Sequence, residues 1–571
     1  MAYDLLIRNA LLCDGTGAPV RPGALAVSDG RIAAAGAAGE VAGLARRQID
    51  AGGLVVAPGF IDIHTHYDAQ ISWDPLLTCS CWHGVTTLLM GNCGVGVAPV
   101  RPGQRGTMAW DLVNVEALPH DVLMRGVSWE WESFPEYMTA VERRGVALNV
   151  GFLVPLSALR FYVIGDEASE RAASADETAE MARLFAEAMC AGAAGFSLSL
   201  APQHIGFQGR PLASRMASRE ELAALCHVMR AQGRGIIEIL PNRGATNVPG
   251  EGGLELLTML ARESGRPVTW LALLDLPGTP PDAHERVLER LAPLVRSGLE
   301  IVPQVTPRPI QQYYTMSEPF IFAALDSWKG VFNRGAEEQM ALLRSADFRA
   351  AFRAEIANGG GKAIFRGRWD RVHIARVNRE HNRRFLNLSV AELAAMTRKD
   401  AVDALLDLAL DERMELGITL SVINVNPDVV GRLLRLPNTL IGLSDAGAHV
   451  AQHCDAGLTS YLLHEWVHRR GALTLEEGVR RLTSELADFL QLPAKGRLSP
   501  GADADLVIFD PAGIKPLKPE WVNDLRGGEP RLIERSEGIE YTIVGGEVLF
   551  ARGEYQGGLP GRVLRAGDAP H

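Results

Sequence analysis

The chain has 571 residues, 47% of them hydrophobic and 22% charged, with a net charge of -11. This is enough apolar material for a large core, in one large domain with an appendage or in several modest ones, without help from disulfides. The acidic balance argues against a general binder of nucleic acid or anionic membranes. Seven irregularly spaced cysteines fit reduced thiols in a cytoplasmic protein better than a disulfide framework. The N-terminal "MAYDLLIRNALL" lacks the long apolar stretch of a signal peptide. No apolar run reaches the ~18 residues of a membrane span.

Residues 1–57 read as short strands broken by Asp-Gly and Gly-Gly turns. From 58 onward, short apolar runs alternate with amphipathic helical stretches. The runs are "GFIDIH" (59–64), "VTTLLM" (85–90), "ALNVGFLV" (147–154), "GFSLSL" (195–200), "GIIEIL" (235–240), "PVTWLAL" (267–273), "EIVPQVT" (300–306) and "TLIGLSD" (439–445). They lack strict alternation, as strands buried on both faces do. Eight such strands with intervening helices predict an α/β fold, a (β/α)8 TIM-type barrel over 58–490. Two connections are long, 100–146 and about 310–435. The second carries a strand-like "TLSVINV" and the glycine run "NGGGK" (358–362). Such inserts shape substrate pockets or contacts between copies of the chain, which leaves a homo-oligomer open. Residues 491–571 return to strands and hairpins. The two ends together predict one small composite β-sandwich domain.

In a barrel of this kind, chemistry collects at the C-terminal ends of the strands. The first strand ends in His64 and His66, whose side chains leave one face of an extended segment and can converge on a metal. The second runs into "GNCGVG", where Cys93 can bind or bridge ions. The eighth ends in Asp445, placed to ligate a metal and to act as general base. Glu238 on the fifth strand is a further candidate ligand. Arg308, just past the seventh strand, can clamp a carboxylate or hold the insert by an ion pair. His449 and His83 are candidate substrate contacts, with structural hydrogen bonds as the competing reading. "HEWVH" (464–468) matches the HExxH pattern of metallopeptidases, with Glu465 as its base.

The strand "APGFIDIHTH", the "GNCGVG" turn, "WESFPEY" (131–137), "SDAGAH" and the tail "GRLSPGADADLVIFDP" together resemble the amidohydrolase superfamily, and within it the N-acyl-D-amino-acid deacylases, or D-aminoacylases. The resemblance runs from about residue 3 to 553 and is weakest over 310–435. It implies that His64, His66, Cys93 and Asp445 hold zinc or another divalent metal, one ion or two, with Asp445 as catalytic base. It also implies a histidine at the end of strands five and six. Here those positions offer Glu238 and, beyond strand six, Asp275. No lysine stands at the end of strand four, so Cys93 is the bridging group in view. The expected activity is hydrolysis of the amide C–N bond of a small N-acylated compound, such as an N-acyl-D-amino acid, by metal-activated water. The alternatives are ring-opening of a cyclic amide, as in hydantoinase-like relatives, a weakly catalytic scaffold or binding subunit, and the HExxH metallopeptidase.

Overall fold

The computed structural model describes residues 2–41, 43–322, 325–332, 334–359, 365 and 367–566. They divide into two compact units. The larger spans residues 1–308, 426–450 and 454–571, and the smaller 309–425 with 451–453.

In the larger unit, both chain ends build one hydrogen-bonded sheet. Its order runs Glu554–Tyr555, Glu547–Ala551, Ile539–Val544, Leu506–Phe509, Val55–Pro58, Tyr3–Leu12, Arg21–Ser28 and Arg31–Gly36, and Ala45–Asp50 also pairs with Tyr3–Leu12. The join between the two termini is the antiparallel pairing of Val507 with Ala57 and its neighbours. Successive side chains point to opposite faces of a strand. Leu5, Ile7, Leu25 and Val27 accordingly enter one core, while Leu6, Ala24 and Ala26 enter another.

The centre of this unit is a series of eight parallel strands. They are Phe60–Asp62, Val85–Met90, Asn149–Phe152 continuing into Val154–Pro155, Gly195–Ser199, Ile236–Leu240, Val268–Trp270, Ile301–Val305 and Leu440–Ile441. The first three form one sheet; the end of the third starts a second sheet that runs in order to the eighth. An isolated parallel bridge joins Thr65, just past the first strand, to Ala446, just past the eighth. Ile61, Leu89, Leu153, Ile236, Val302 and Leu440, drawn from six strands, meet in one cluster. Helices such as Ala175–Cys190, Arg219–Gln232 and Glu251–Ser264 separate the strands. The first two begin with capping boxes, Ser174 with Glu177 and Ser218 with Glu221, which satisfy amide donors that a helix start leaves unpaired.

The "WESFPEY" motif has a structural job. Ser133 and Glu136 cap the helix Phe134–Arg144. The Trp131 indole donates to the Val97 carbonyl and the Tyr137 hydroxyl to the Asp68 carbonyl.

The smaller unit holds a three-stranded antiparallel sheet, ordered Ile310–Thr315, Gly417–Ile423, Val372–Arg376. The strand-like "TLSVINV" is the middle one. Helices including Ala336–Arg344, Ala346–Ala357 and Ala401–Asp411 pack over an aromatic core of Phe322, Trp328, Phe352 and Phe365. The unit ends at Val425, so the helix Pro427–Leu433 belongs with the parallel strands. The glycine run 358–362 lies partly outside the described residues.

Candidate metal centre

The bridge between Thr65 and Ala446 brings the two chain-distant ends of the site together. The His66 amide donates to the Ala446 carbonyl at 2.7 Å, and the Ser444 hydroxyl to the His64 carbonyl at 3.0 Å. Asp445 sits between those two anchors with φ 47. This left-handed backbone is costly for a side-chain-bearing residue and recurs where function dictates the direction of a group. One carboxylate oxygen lies 3.3 Å from His64 Nε2 and 3.7 Å from His66 Nε2.

Cys93 arrives from the second strand through a turn only glycine allows. A Cβ on Gly91 would stand 2.1 Å from the Leu153 carbonyl oxygen, and one on Gly94 2.9 Å from Leu198 Cα. Cys93 itself has φ 55. Its amide donates to Glu238 Oε2 at 2.8 Å, and its Sγ lies 3.7 Å from His64 Nε2. Ligand atoms of His64, His66 and Cys93 all fall within 4.8 Å of one another, and all three residues are buried.

The electrostatics are those of a site short of positive charge. Burial holds the His64 imidazole neutral, near 3, despite the opposing pull of Asp445. Burial also pushes Glu238 up to about 8 and Glu116 to about 7, and raises the Cys93 thiol well above its usual range. For His66, burial works downward, but Glu116, Asp445 and Asp68 outweigh it and raise the imidazole to about 9. His64 Nδ1 and Glu238 Oε1 are buried without a hydrogen-bond partner among the described residues. Two imidazoles, a thiol and several carboxylates crowded this closely suit a divalent cation, which favours the deprotonated thiolate and neutralises the acids. The residues present therefore fit a metal.

Three further polar residues near these strand ends went unflagged in the sequence. Glu116 closes the helix Arg105–Glu116 in the long 100–146 connection, and its carboxylate lies 3.3 Å from His66 Nδ1 and 3.9 Å from His449 Nε2. His204, five residues past the fourth strand, hydrogen-bonds Ser199 at 2.9 Å. Burial, His66 and other nearby charges pull it down to about 4. Arg243 stands three residues past the fifth strand, half-buried, and its Nε has no acceptor among the described residues. Reading a few residues beyond each strand end would have found His204 and Arg243. No local pattern marks Glu116, which reaches the site through the tertiary path of its helix.

Other candidates are placed elsewhere. Arg308 is not a substrate clamp: its guanidinium takes both oxygens of Glu534, at 2.8 and 3.1 Å, and Asp455 at 2.9 Å, so buried carboxylates of the chain already occupy the fork. His83 is not a substrate contact either. It is fully buried, with Nδ1 on the Ser460 hydroxyl at 2.8 Å and Nε2 on the Glu534 carbonyl at 3.0 Å. His449 remains beside the centre through Glu116. Asp275 accepts the Asn426 amide at 2.9 Å. The HExxH pattern builds no metal centre: it lies in a π-helical segment, Leu462–Arg469, where Glu465 is held by Arg469 and Arg470 at 2.6 Å each. Glu485, an acid downstream that could have served as a third ligand to such a motif, is likewise taken by Arg480 and Arg481. Among the described residues, the cluster of His64, His66 and Cys93 is the group of three that meets metal-ligand spacing.

This arrangement suits a hydrolase that works with a divalent cation. The amidohydrolase family profile matches residues 47–550, and the chain belongs to that family as a metal-dependent hydrolase of non-peptide carbon–nitrogen bonds. It is 30% identical to an uncharacterised protein of Mycobacterium tuberculosis, over 100% of this chain and 96% of that one. It is 29% identical to the D-aminoacylase of Alcaligenes xylosoxydans xylosoxydans, over 98% and 97% of the two chains. The crystal structure of N-acyl-D-glutamate deacylase from Bordetella bronchiseptica, complexed with zinc and a phosphonate mimic of the tetrahedral intermediate, matches with a TM-score of 0.66 and 25% identity, covering 99% of this chain and 100% of that one.

Proposed function

We propose that the chain hydrolyses the amide bond of N-acyl-D-amino acids, in a (β/α)8 barrel whose strand ends carry the site. The Thr65–Ala446 bridge and the cluster fed by six strands support closure of the eight parallel strands into a barrel. The observation that carries the functional reading is the convergence of His64, His66 and Cys93 with the Asp445 carboxylate 3.3 Å from His64. End-to-end similarity to the D-aminoacylase supports the substrate class.

His64, His66, Cys93 and Asp445 would hold the ion, with Glu238 as a further ligand through its unpartnered Oε1. A divalent ion bound there supplies Lewis acidity toward the amide carbonyl and makes water a competent nucleophile at neutral pH. Asp445 receives the water proton and delivers it to the leaving nitrogen, standing within reach of both histidines. Glu116 fixes the His66 ring through Nδ1, which leaves Nε2 to face the centre and makes the imidazole a better donor. Glu238 anchors the Cys93 backbone in its left-handed turn.

Metal analysis of the purified protein, beside a hydrolysis screen of N-acyl-D- and N-acyl-L-amino acids, aryl amides and cyclic imides, tests this reading. The expected result is near-stoichiometric zinc, lost in the His64→Ala/His66→Ala double variant, and a preference for N-acyl-D-amino acids. Asp445→Asn should cost turnover about 10²–10⁴-fold, the usual worth of a general base. A metal-free protein, or turnover of cyclic imides alone, would overturn the reading.

A further inference from the structure

Seven cysteines are spread through the chain. Cys93 stands beside His64 and His66. Cys13, Cys81 and Cys226 are buried, and Cys190 is exposed. The other two meet. Cys79 Sγ and Cys454 Sγ lie 3.9 Å apart, although 375 positions separate them in the chain. A disulfide draws its sulfurs to about 2.05 Å, so this pair is close to bonding and not joined. Cys79 is buried, at 4% exposure, whereas Cys454 is half-buried and can be reached from solvent.

The surroundings hold both thiols in place. Cys79 Sγ accepts the Glu534 amide at 3.2 Å. The Glu534 carboxylate accepts the Gly457 amide at 2.9 Å, three residues past Cys454. It also binds Arg308, whose Nε reaches Asp455, the residue after Cys454. One buried acid therefore anchors the backbone around both sulfurs. The Tyr67 and Ser80 hydroxyls hydrogen-bond each other at 2.9 Å. Tyr67 follows His66 and Ser80 follows Cys79, so the first thiol is tied back to the histidine segment. Cys454 stands nine residues past Asp445. The two thiols thus sit on the two segments that the Thr65–Ala446 bridge already joins.

We propose that Cys79 and Cys454 are a reversible disulfide site, closed by a low-molecular-weight disulfide such as oxidised glutathione. The bond staples the segment carrying Asp445 to the segment carrying His64 and His66. Exposure sets the order of events. The Cys454 thiolate attacks one sulfur of the oxidant, forms a mixed disulfide and releases one glutathione thiolate. The Cys79 thiolate then attacks the Cys454 sulfur, and the second glutathione thiolate leaves. Two protein thiols are oxidised, their two protons pass to the two glutathione thiolates, and one oxidant disulfide is reduced. A dithiol reductant reverses both steps. The staple adds a covalent tie beside the backbone bridge and restrains the local opening through which a bound ion leaves. That last consequence rests on the functional reading above; the thiol chemistry stands without it.

The test treats the zinc-loaded Cys190→Ser protein, which lacks the exposed thiol, with oxidised glutathione. Seven cysteines less Cys190 leave six thiols, and titration after unfolding should find four. Peptide mapping should find positions 79 and 454 linked, and dithiothreitol should restore all six. Cys79→Ser in this background keeps an acceptor for the Glu534 amide and should trap Cys454 as its mixed disulfide with glutathione. Cys454→Ser should leave Cys79 unmodified, because the buried thiol does not meet the oxidant. The oxidised protein should lose zinc to a chelator several-fold more slowly than the reduced one, and neither serine variant should show that difference. Six thiols after oxidation, or glutathione on Cys454 with no link to Cys79, would overturn the disulfide. A linked protein that releases zinc as fast as the reduced one would overturn the staple. A reduced protein that holds no zinc would overturn the functional reading, while the thiol count and the linked peptide still decide the disulfide.

Discussion

Replacing Arg308 by methionine separates a substrate clamp from a structural ion cluster. Methionine keeps much of the aliphatic bulk and removes the charge. The guanidinium lies 2.8 Å from Glu534 and 2.9 Å from Asp455. At an effective dielectric near 20, each contact is worth about 6 kcal/mol of Coulomb energy before desolvation is charged against it. The side chains of Arg308, Glu534 and Asp455 are 8%, 1% and 4% exposed, so water cannot replace the lost partner. Breaking one buried pair typically costs about 3–5 kcal/mol. With two acids stranded, the upper end of that range is expected. The larger unit has roughly 450 residues, which at ~2.1 cal/mol/K each gives an unfolding entropy near 1 kcal/mol/K. A loss of about 5 kcal/mol then lowers its Tm by about 5 °C. Calorimetry on the zinc-loaded protein at pH 7 reads this directly, and KM for N-acetyl-D-leucine, measured well below the transition, should not move. An unchanged Tm with a raised KM would refute the argument and return Arg308 to the substrate.

Two further outcomes follow from the same geometry. Glu238 has its folded value raised from 4.5 to about 8 by burial. Below pH ~4.5 both states hold the proton; between ~4.5 and ~8 the unfolded state has released it and the folded state has not, so each pH unit upward removes about 1.4 kcal/mol of stability. The Tm of chelator-stripped protein should therefore fall across this window, and Glu238→Gln should flatten that fall; identical slopes would count against the assignment. Glu465→Ala should leave zinc content and turnover unchanged and cost about 1 kcal/mol, since it removes only partly exposed pairs with Arg469 and Arg470. Loss of zinc in that variant would revive the HExxH reading.

Much of this molecule is written locally. Apolar runs of strand length alternating with capped helices announce parallel α/β architecture. "IDIHTH" and "GNCG" carry their candidate ligands at spacings that short-range backbone geometry alone makes useful, because alternate residues of an extended segment share a face and a glycine-flanked turn can hold a cysteine at positive φ. Asp445 is legible for the same reason, as a carboxylate at a strand end. What local pattern does not encode is who meets whom across hundreds of residues. Arg308 and His83 carry the right chemistry in sequence, yet Glu534 and Ser460, distant in the chain, had already claimed them. Glu116 lies in a connection without a motif, and only the path of its helix brings it 3.3 Å from His66. Burial, which neutralises His64 and raises Glu238, is a sum over all neighbours and has no one-dimensional signature. The sequence by itself determined the alternation of parallel strands with helices and brought forward His64, His66 and Cys93, which the structure places together. The tertiary structure decided which charged groups are spent on one another, as Arg308 is on Glu534 and Asp455, and which, like Glu116, reach the two histidines from a distant connection.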